Sequence, residues 1–261
     1  MDELIRELNR QGVLNSPYVR AAFRAIDRKD FVPPEQAREA YGNYPLPIGY
    51  DQTISQPYTV AFMLDLLDPR PGEKIMDIGA GSGWTTALLA HIAGQPMKHE
   101  SGIPPTARLA KGGKNHGTVY AIERITKLCE FGTANVRKYG FLKKLVAKFF
   151  CRNGGLGLAE YAPFDKILAS AAGRDIPGAW REQLRVGGKI VAPVGGSIWC
   201  LTKTSPTSWQ EREFPGFAFV PLINEGSRKP AGGEARRRRQ ETGSKEQKAV
   251  IKEQGIVSRK R

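Results

Sequence analysis

The sequence predicts an α/β fold, a mostly parallel sheet with helices on both faces, and three features predict it. From Lys74 onward, short apolar runs of strand character alternate with helical patterns. A glycine-rich turn follows directly on the first of those runs, and the helical patterns stop at glycines. Alternation of this kind is the signature of βαβ units around a parallel sheet.

Taken in order, KIMDIGAG reads as a buried strand entering a glycine turn, WTTALLAHIAG as a helix and TVYAIE as a second strand. ITKLCEFGTANVRKYG reads as a helix ending at Gly140. LVAKFF, FDKILASAA, KIVAPVG and SIWCLTKT are further strand candidates, AWREQLRVGG is a helix with its glycine stop, and FAFVPLI a terminal strand. Residues 1–70 differ: LIRELNRQGV and SPYVRAAFRAI have helical patterns, and a Pro-, Gly- and Tyr-rich stretch follows and ends in QTISQP. Long irregular segments in compact proteins tend to carry function. The expected organisation is therefore an N-terminal covering segment over 1–70, an α/β core over 71–225 and a basic tail over 226–261. A polar, Pro/Gly-rich insertion is expected at 95–116.

Composition bounds the reading. The chain has 261 residues, 40% of them apolar, enough for one large domain with appendages. No stretch approaches the roughly 20 apolar residues of a membrane span, and MDELIRELNR is too charged for a signal peptide, so a cytoplasmic protein is expected. Cys129, Cys151 and Cys200 lack CxxC spacing, which predicts buried thiols rather than a disulfide framework or a zinc site. His99 and Glu100 are adjacent in sequence and form no ligand cluster, so no metal is expected. Of the net charge of +14, residues 226–261 carry +8, from 12 Lys/Arg against 4 Asp/Glu. That tail has too few large apolar residues to offset ordering entropy and is expected to be disordered. Its arginine run at 236–239 suits non-specific contact with RNA or another anionic surface, or simply solubility.

The chemistry concentrates at DIGAGSG. Gly79, Gly81 and Gly83 at alternate positions after a strand allow a tight turn that a ligand can approach, backed by a helix N-terminus. Dinucleotide enzymes use G-x-G-x-x-G; the G-x-G-x-G spacing behind Asp77 resembles instead the first motif of S-adenosylmethionine-dependent methyltransferases. A ribose-binding acid is expected about 20 residues past the glycines. Glu123 lies 40 residues past Gly83, and without the 22-residue insertion the gap is 18.

The stretches AYGNYPLPIGYDQTISQPYTVAFML, DIGAGSGW, APFDKILASAAGRDIP, QLRVGGKIVAPVG and FVPLI resemble the protein-L-isoaspartate O-methyltransferase family over about residues 15–225, with 45–57 the specific part. The resemblance implies an α/β fold of the class I S-adenosylmethionine-dependent methyltransferase type, Rossmann-like, with an N-terminal helical and loop cap. It also implies S-adenosyl-L-methionine as cofactor and methylation of the α-carboxylate of L-isoaspartyl residues, or of D-aspartyl ones, in damaged peptides and proteins. The ester then closes to a succinimide without the enzyme. By that resemblance Thr53, Ile54 and Ser55 line the junction of donor and acceptor, with Ser55 the catalytic-site residue. Asp77, Gly79, Gly81, Gly83 and Glu123 hold the cofactor, and Asn153 and Gly154 border its adenine. Asn153 stands where the family usually has aspartate, keeping a carbonyl acceptor and losing a charge. Small hydroxyl and amide groups suit a carboxylate acceptor, which is ionised at neutral pH and needs no general base. Two other readings are a related methyltransferase acting on aspartate in a peptide, and an RNA-associated methyltransferase using the basic tail. FDKILASAA replaces the amino-methylating N/D-P-P-Y/F motif and speaks against the latter. A monomer is expected.

Overall fold

The computed structural model describes residues 1–96 and 116–222. The expected tail, and the insertion except for its end residues, lie outside the described residues. The chain opens with α1 (Asp2–Arg10), whose Leu4, Ile5 and Leu8 fall on one buried face, and α2 (Pro17–Ala25), which starts with proline at its first position. A hairpin of β1 (Leu46–Gly49) and β2 (Gln52–Ile54) follows, then α3 (Pro57–Leu67).

The core is a seven-stranded sheet. β3 (Lys74–Ile78), β4 (Thr118–Glu123), β5 (Ala147–Cys151), β6 (Phe164–Ala169) and β7 (Leu184–Val194) run parallel, while β8 (Ser197–Lys203) and β9 (Trp209–Pro215) complete it antiparallel. The order is β5-β4-β3-β6-β7-β8-β9, so the chain reverses direction across the sheet at β3, between β4 and β6. In open α/β sheets such a switch point leaves a crevice at the carboxyl ends of the strands. Period-2 alternation sends Ile75, Val119, Leu168 and Val191 to one apolar core, with α1 to α3, α4 (Trp84–Ala93) and α5 (Thr126–Lys138), and Met76, Tyr120, Ile167 and Ile190 to the other. Among the described residues no helix is long and apolar enough to cross a membrane.

Three expectations are corrected. Helix α6 (Gly178–Gln183) is shorter than AWREQLRVGG, because Leu184 already enters β7 beside Phe164. The sheet's last strand is β9 and not FAFVPLI, most of which runs outside the sheet and meets β6's exit through the Ala172–Pro221 bridge. Proline removes a ladder donor and suits that edge placement. The third correction concerns the thiols. Cys129 on α5 and Cys151 at the end of β5 form a disulfide with Cα atoms 5.7 Å apart, while Cys200 is a buried free thiol. Sequence spacing carries no trace of this pair, because it is the packing of α5 over β5 that brings the two together.

A bridge closing a sequence separation of 22 contributes about 3 kcal/mol in the chain-entropy account. Under denaturing, non-reducing conditions, alkylation is expected to modify Cys200 alone, as read by intact mass. A Cys129→Ala/Cys151→Ala variant is expected to melt several degrees lower.

Candidate functional site

The turn after β3 is held by its neighbours. Gly79 and Ala80 amides donate to the Ile122 carbonyl at 2.9 and 3.1 Å, and the Gly83 amide closes the turn on the Ala80 carbonyl at 2.8 Å. Gly83 has φ +86° and heads α4; a Cβ there would lie 2.8 Å from the Gly132 carbonyl oxygen. The reverse contact is as tight, since a Cβ on Gly132 would lie 2.7 Å from the Gly81 carbonyl oxygen. Helix α5 therefore rests on the glycine turn backbone to backbone. Buried Asn135 on the same helix donates from Nδ2 to the Ser82 carbonyl at 3.0 Å.

Two carboxylates serve this turn. Glu123, at the carboxyl end of β4, accepts from the Gly81 amide at 2.9 Å on Oε2 and from the Ile125 amide at 2.8 Å on Oε1. Each oxygen keeps lone-pair capacity toward the cleft. Asp77 is fully buried behind the turn; its Oδ2 accepts from Thr86 at 2.6 Å and Thr85 at 3.1 Å, and its Oδ1 has no protein partner. Burial pushes the Asp77 carboxyl up to about 6, the two threonine hydroxyls oppose that rise, and the Glu123 charge adds to it.

The hairpin of β1 and β2 covers the turn. A Cβ on Gly81 would meet Ile48 Cδ1 at 3.3 Å, so the flap lies in van der Waals reach of the glycine turn. Between them opens a cleft of about 850 Å³ that includes open solvent. Thr53, Ile54, Ser55, Gly79, Gly81, Glu123, Asn153 and Gly154 all line it. Asp77 and Gly83 do not line it, standing instead behind its wall and at its helix end. Asn153 Oδ1 accepts from the Gly155 amide at 2.9 Å, capping a short 3-10 turn, and Gly154 gives its carbonyl to Trp180 Nε1 at 2.9 Å. Trp84 borders the cleft, but its ring packs edge-on against Phe23.

Sequence reasoning missed Gly132, Asn135, Arg28 and the segment Val220 to Leu222. That segment lines the cleft, held by the Ala172 amide on the Val220 carbonyl at 2.8 Å and the Leu222 amide on the Ala172 carbonyl at 2.7 Å. The FVPLI motif was a signal for its position, though not for its conformation. The arrangement fits a nucleoside carrying a charged sulfur side chain: a glycine turn at one end, a carboxylate for vicinal hydroxyls beside it, and an unpaired buried carboxylate oxygen behind. Arg124 and Glu123 are the charged residues lining the cleft among the described residues.

Residues 1–227 match the family model described as protein-L-isoaspartate(D-aspartate) O-methyltransferase (PCMT). A protein-L-isoaspartate O-methyltransferase of Methanopyrus kandleri is 38% identical over 231 residues, covering 86% of this chain and 91% of the relative. One from Methanospirillum hungatei is 39% identical over 226 residues, covering 85% and 92%. A Plasmodium falciparum chain crystallised with S-adenosyl-L-homocysteine shares the fold with a TM-score of 0.68 at 23% identity, covering 85% of this chain and 97% of that one.

Gly132→Ala is expected to weaken binding of S-adenosylhomocysteine by about tenfold or more, read by calorimetry, because the added methyl must push α5 off the turn. The raised Asp77 pKa makes the folded state hold a proton that the unfolded chain releases between 3.8 and about 6. The stability this contributes is present below that window and lost as pH rises through it. The melting temperature of the wild type minus that of Asp77→Asn is therefore expected to fall from pH 4 to pH 6 and to level off above.

Proposed function

Because this chain belongs to the protein-L-isoaspartate(D-aspartate) O-methyltransferase family, we propose that it transfers a methyl group from S-adenosylmethionine to the α-carboxylate of L-isoaspartyl residues in damaged peptides and proteins. The observation that carries this reading is the polar flap 52–55, seated across one cleft from the glycine turn. When bound, the cofactor supplies an electrophilic methyl on a positively charged sulfur.

The chain's own residues have a positioning task. Glu123, already ordered by two amides, receives ribose hydroxyls on its remaining lone pairs. Ile122, Ile125 and Leu128 line the cleft and would give the adenine an apolar wall, with Asn153 and Gly154 at its border. Asp77 fixes the start of α4 through Thr85 and Thr86, and its second oxygen is buried without a protein partner. Thr53 and Ser55, with the half-buried amide of Gln52, offer small donors to an acceptor carboxylate. A C-terminal-type carboxylate has a pKa near ~3.5 and arrives ionised, so no side chain has to remove a proton. In-line placement and exclusion of water are what remain, and a flap over a turn supplies both.

A monomer in the cytoplasm is part of this reading, with the N-terminal segment of the same chain completing the cleft. So is a non-specific contact between the basic residues of 226–261 and an anionic polymer such as RNA, which deletion of the tail would remove.

Labelled methyl transfer to an isoaspartyl peptide, with its aspartyl isomer as control, tests the assignment. Label on the isoaspartyl peptide alone is expected; equal labelling of both would favour a peptide aspartate methyltransferase. Ser55→Ala is expected to lower kcat by about 10- to 100-fold, with the melting temperature nearly unchanged. Unchanged kcat would remove Ser55 from the mechanism.

A further inference from the structure

Arg28, just past α2, is fully buried, and its guanidinium is the centre of an unusual arrangement. Nη1 donates to the carbonyls of Ala40 and Gly42 at 2.9 and 3.0 Å; Nη2 donates to those of Tyr44 and Ser55 at 3.0 and 3.1 Å. The same guanidinium lies over the Trp84 ring, 5.3 Å from its centroid. Four carbonyl dipoles from a segment with little regular structure thus point at one charge. Only the Nε hydrogen is without an acceptor. Burial pushes the group's pKa down to about 9, which still leaves it charged at neutral pH.

Resting on the function proposed above, we infer that Arg28 is a positioning residue for methyl transfer: it holds the flap through the Ser55 carbonyl and, through Trp84, ties it to the helix that begins at the glycine turn. Four converging carbonyl oxygens repel one another and would each be left unsatisfied in a buried site without a cation. Their convergence fixes the chain on both sides of the β1–β2 hairpin, since Ala40, Gly42 and Tyr44 precede it and Ser55 ends it. Ser55 cannot leave the cleft without breaking a charge-assisted hydrogen bond. Trp84 is the first residue of α4, directly after Gly83, so the cation is placed between the acceptor side and the donor side of the cleft. The planar fork matters: an ammonium offers three donors from one atom and lies less well over an indole face.

Arg28→Met strands the four carbonyls and can fail to fold, so Arg28→Lys is the informative variant. It is compared with Leu201→Ala, a buried change in β8 that lies away from the cleft. At a temperature where both remain folded, Arg28→Lys is expected to lower kcat on an isoaspartyl peptide by about tenfold or more, with affinity for S-adenosylhomocysteine within about threefold of wild type. Amide hydrogen exchange in residues 52–56 is expected to accelerate by about tenfold, with β3 and β4 unaffected. Leu201→Ala is expected to lose melting temperature without either effect. Unchanged kcat together with unchanged exchange at 52–56, or losses that Leu201→Ala reproduces at equal melting temperature, would overturn the assignment. Should the wild type itself fail to methylate isoaspartyl peptides, the functional reading falls, and the exchange measurement still decides whether Arg28 holds the flap.

Discussion

The cleft depends on one carboxylate used as a joint. Glu123 takes the Gly81 amide on one oxygen and the Ile125 amide on the other, and so couples the turn after β3 to the lead-in of α5. That helix in turn sits on the turn at backbone contact through Gly132 and anchors it through Asn135. A charged acceptor for two amides is stronger than a neutral one, and the burial of Glu123 sharpens the effect. Because its hydrogen bonds go to backbone amides, Glu123 serves geometry rather than proton transfer.

The opposite wall uses the converse device. There a buried cation gathers backbone carbonyls, and the flap it gathers lies against the glycine turn through Ile48. One wall is thus ordered by an anion collecting amides, the other by a cation collecting carbonyls. Between them the flap offers small hydroxyl and amide groups. A site made this way aligns two reactants and keeps water out, and it suits a transfer in which the acceptor is ionised before it binds.

The parts of this design that were legible in the sequence are those with local patterns. The glycine spacing behind Asp77, the alternation of strand and helix, and the polar QTISQP segment each occupy a handful of consecutive positions. Glu123 became legible once the 22-residue insertion was set aside, because strand and turn then returned to ordinary spacing. What stayed hidden comes from contacts between distant segments. Gly132 reads as a weak point in a helix until the Gly81 carbonyl is seen against it. Arg28 reads as one surface charge among forty Lys and Arg residues until four carbonyls are seen to close on it. The Cys129–Cys151 pair likewise follows from helix-on-strand packing, and Leu184 left its predicted helix because strand pairing with β6 outweighed local propensity.

In the proposed transfer, alignment supplies the acceleration and the protein moves no proton in the rate-determining chemistry. The solvent deuterium isotope effect on single-turnover transfer to an isoaspartyl peptide reads this. A value near ~1 across neutral pH is the expected result, because the acceptor oxygen carries no proton to remove. A normal effect of about 2 or more, with a rate linear in deuterium content, would mean that a side chain acts as general base and that alignment alone is not enough.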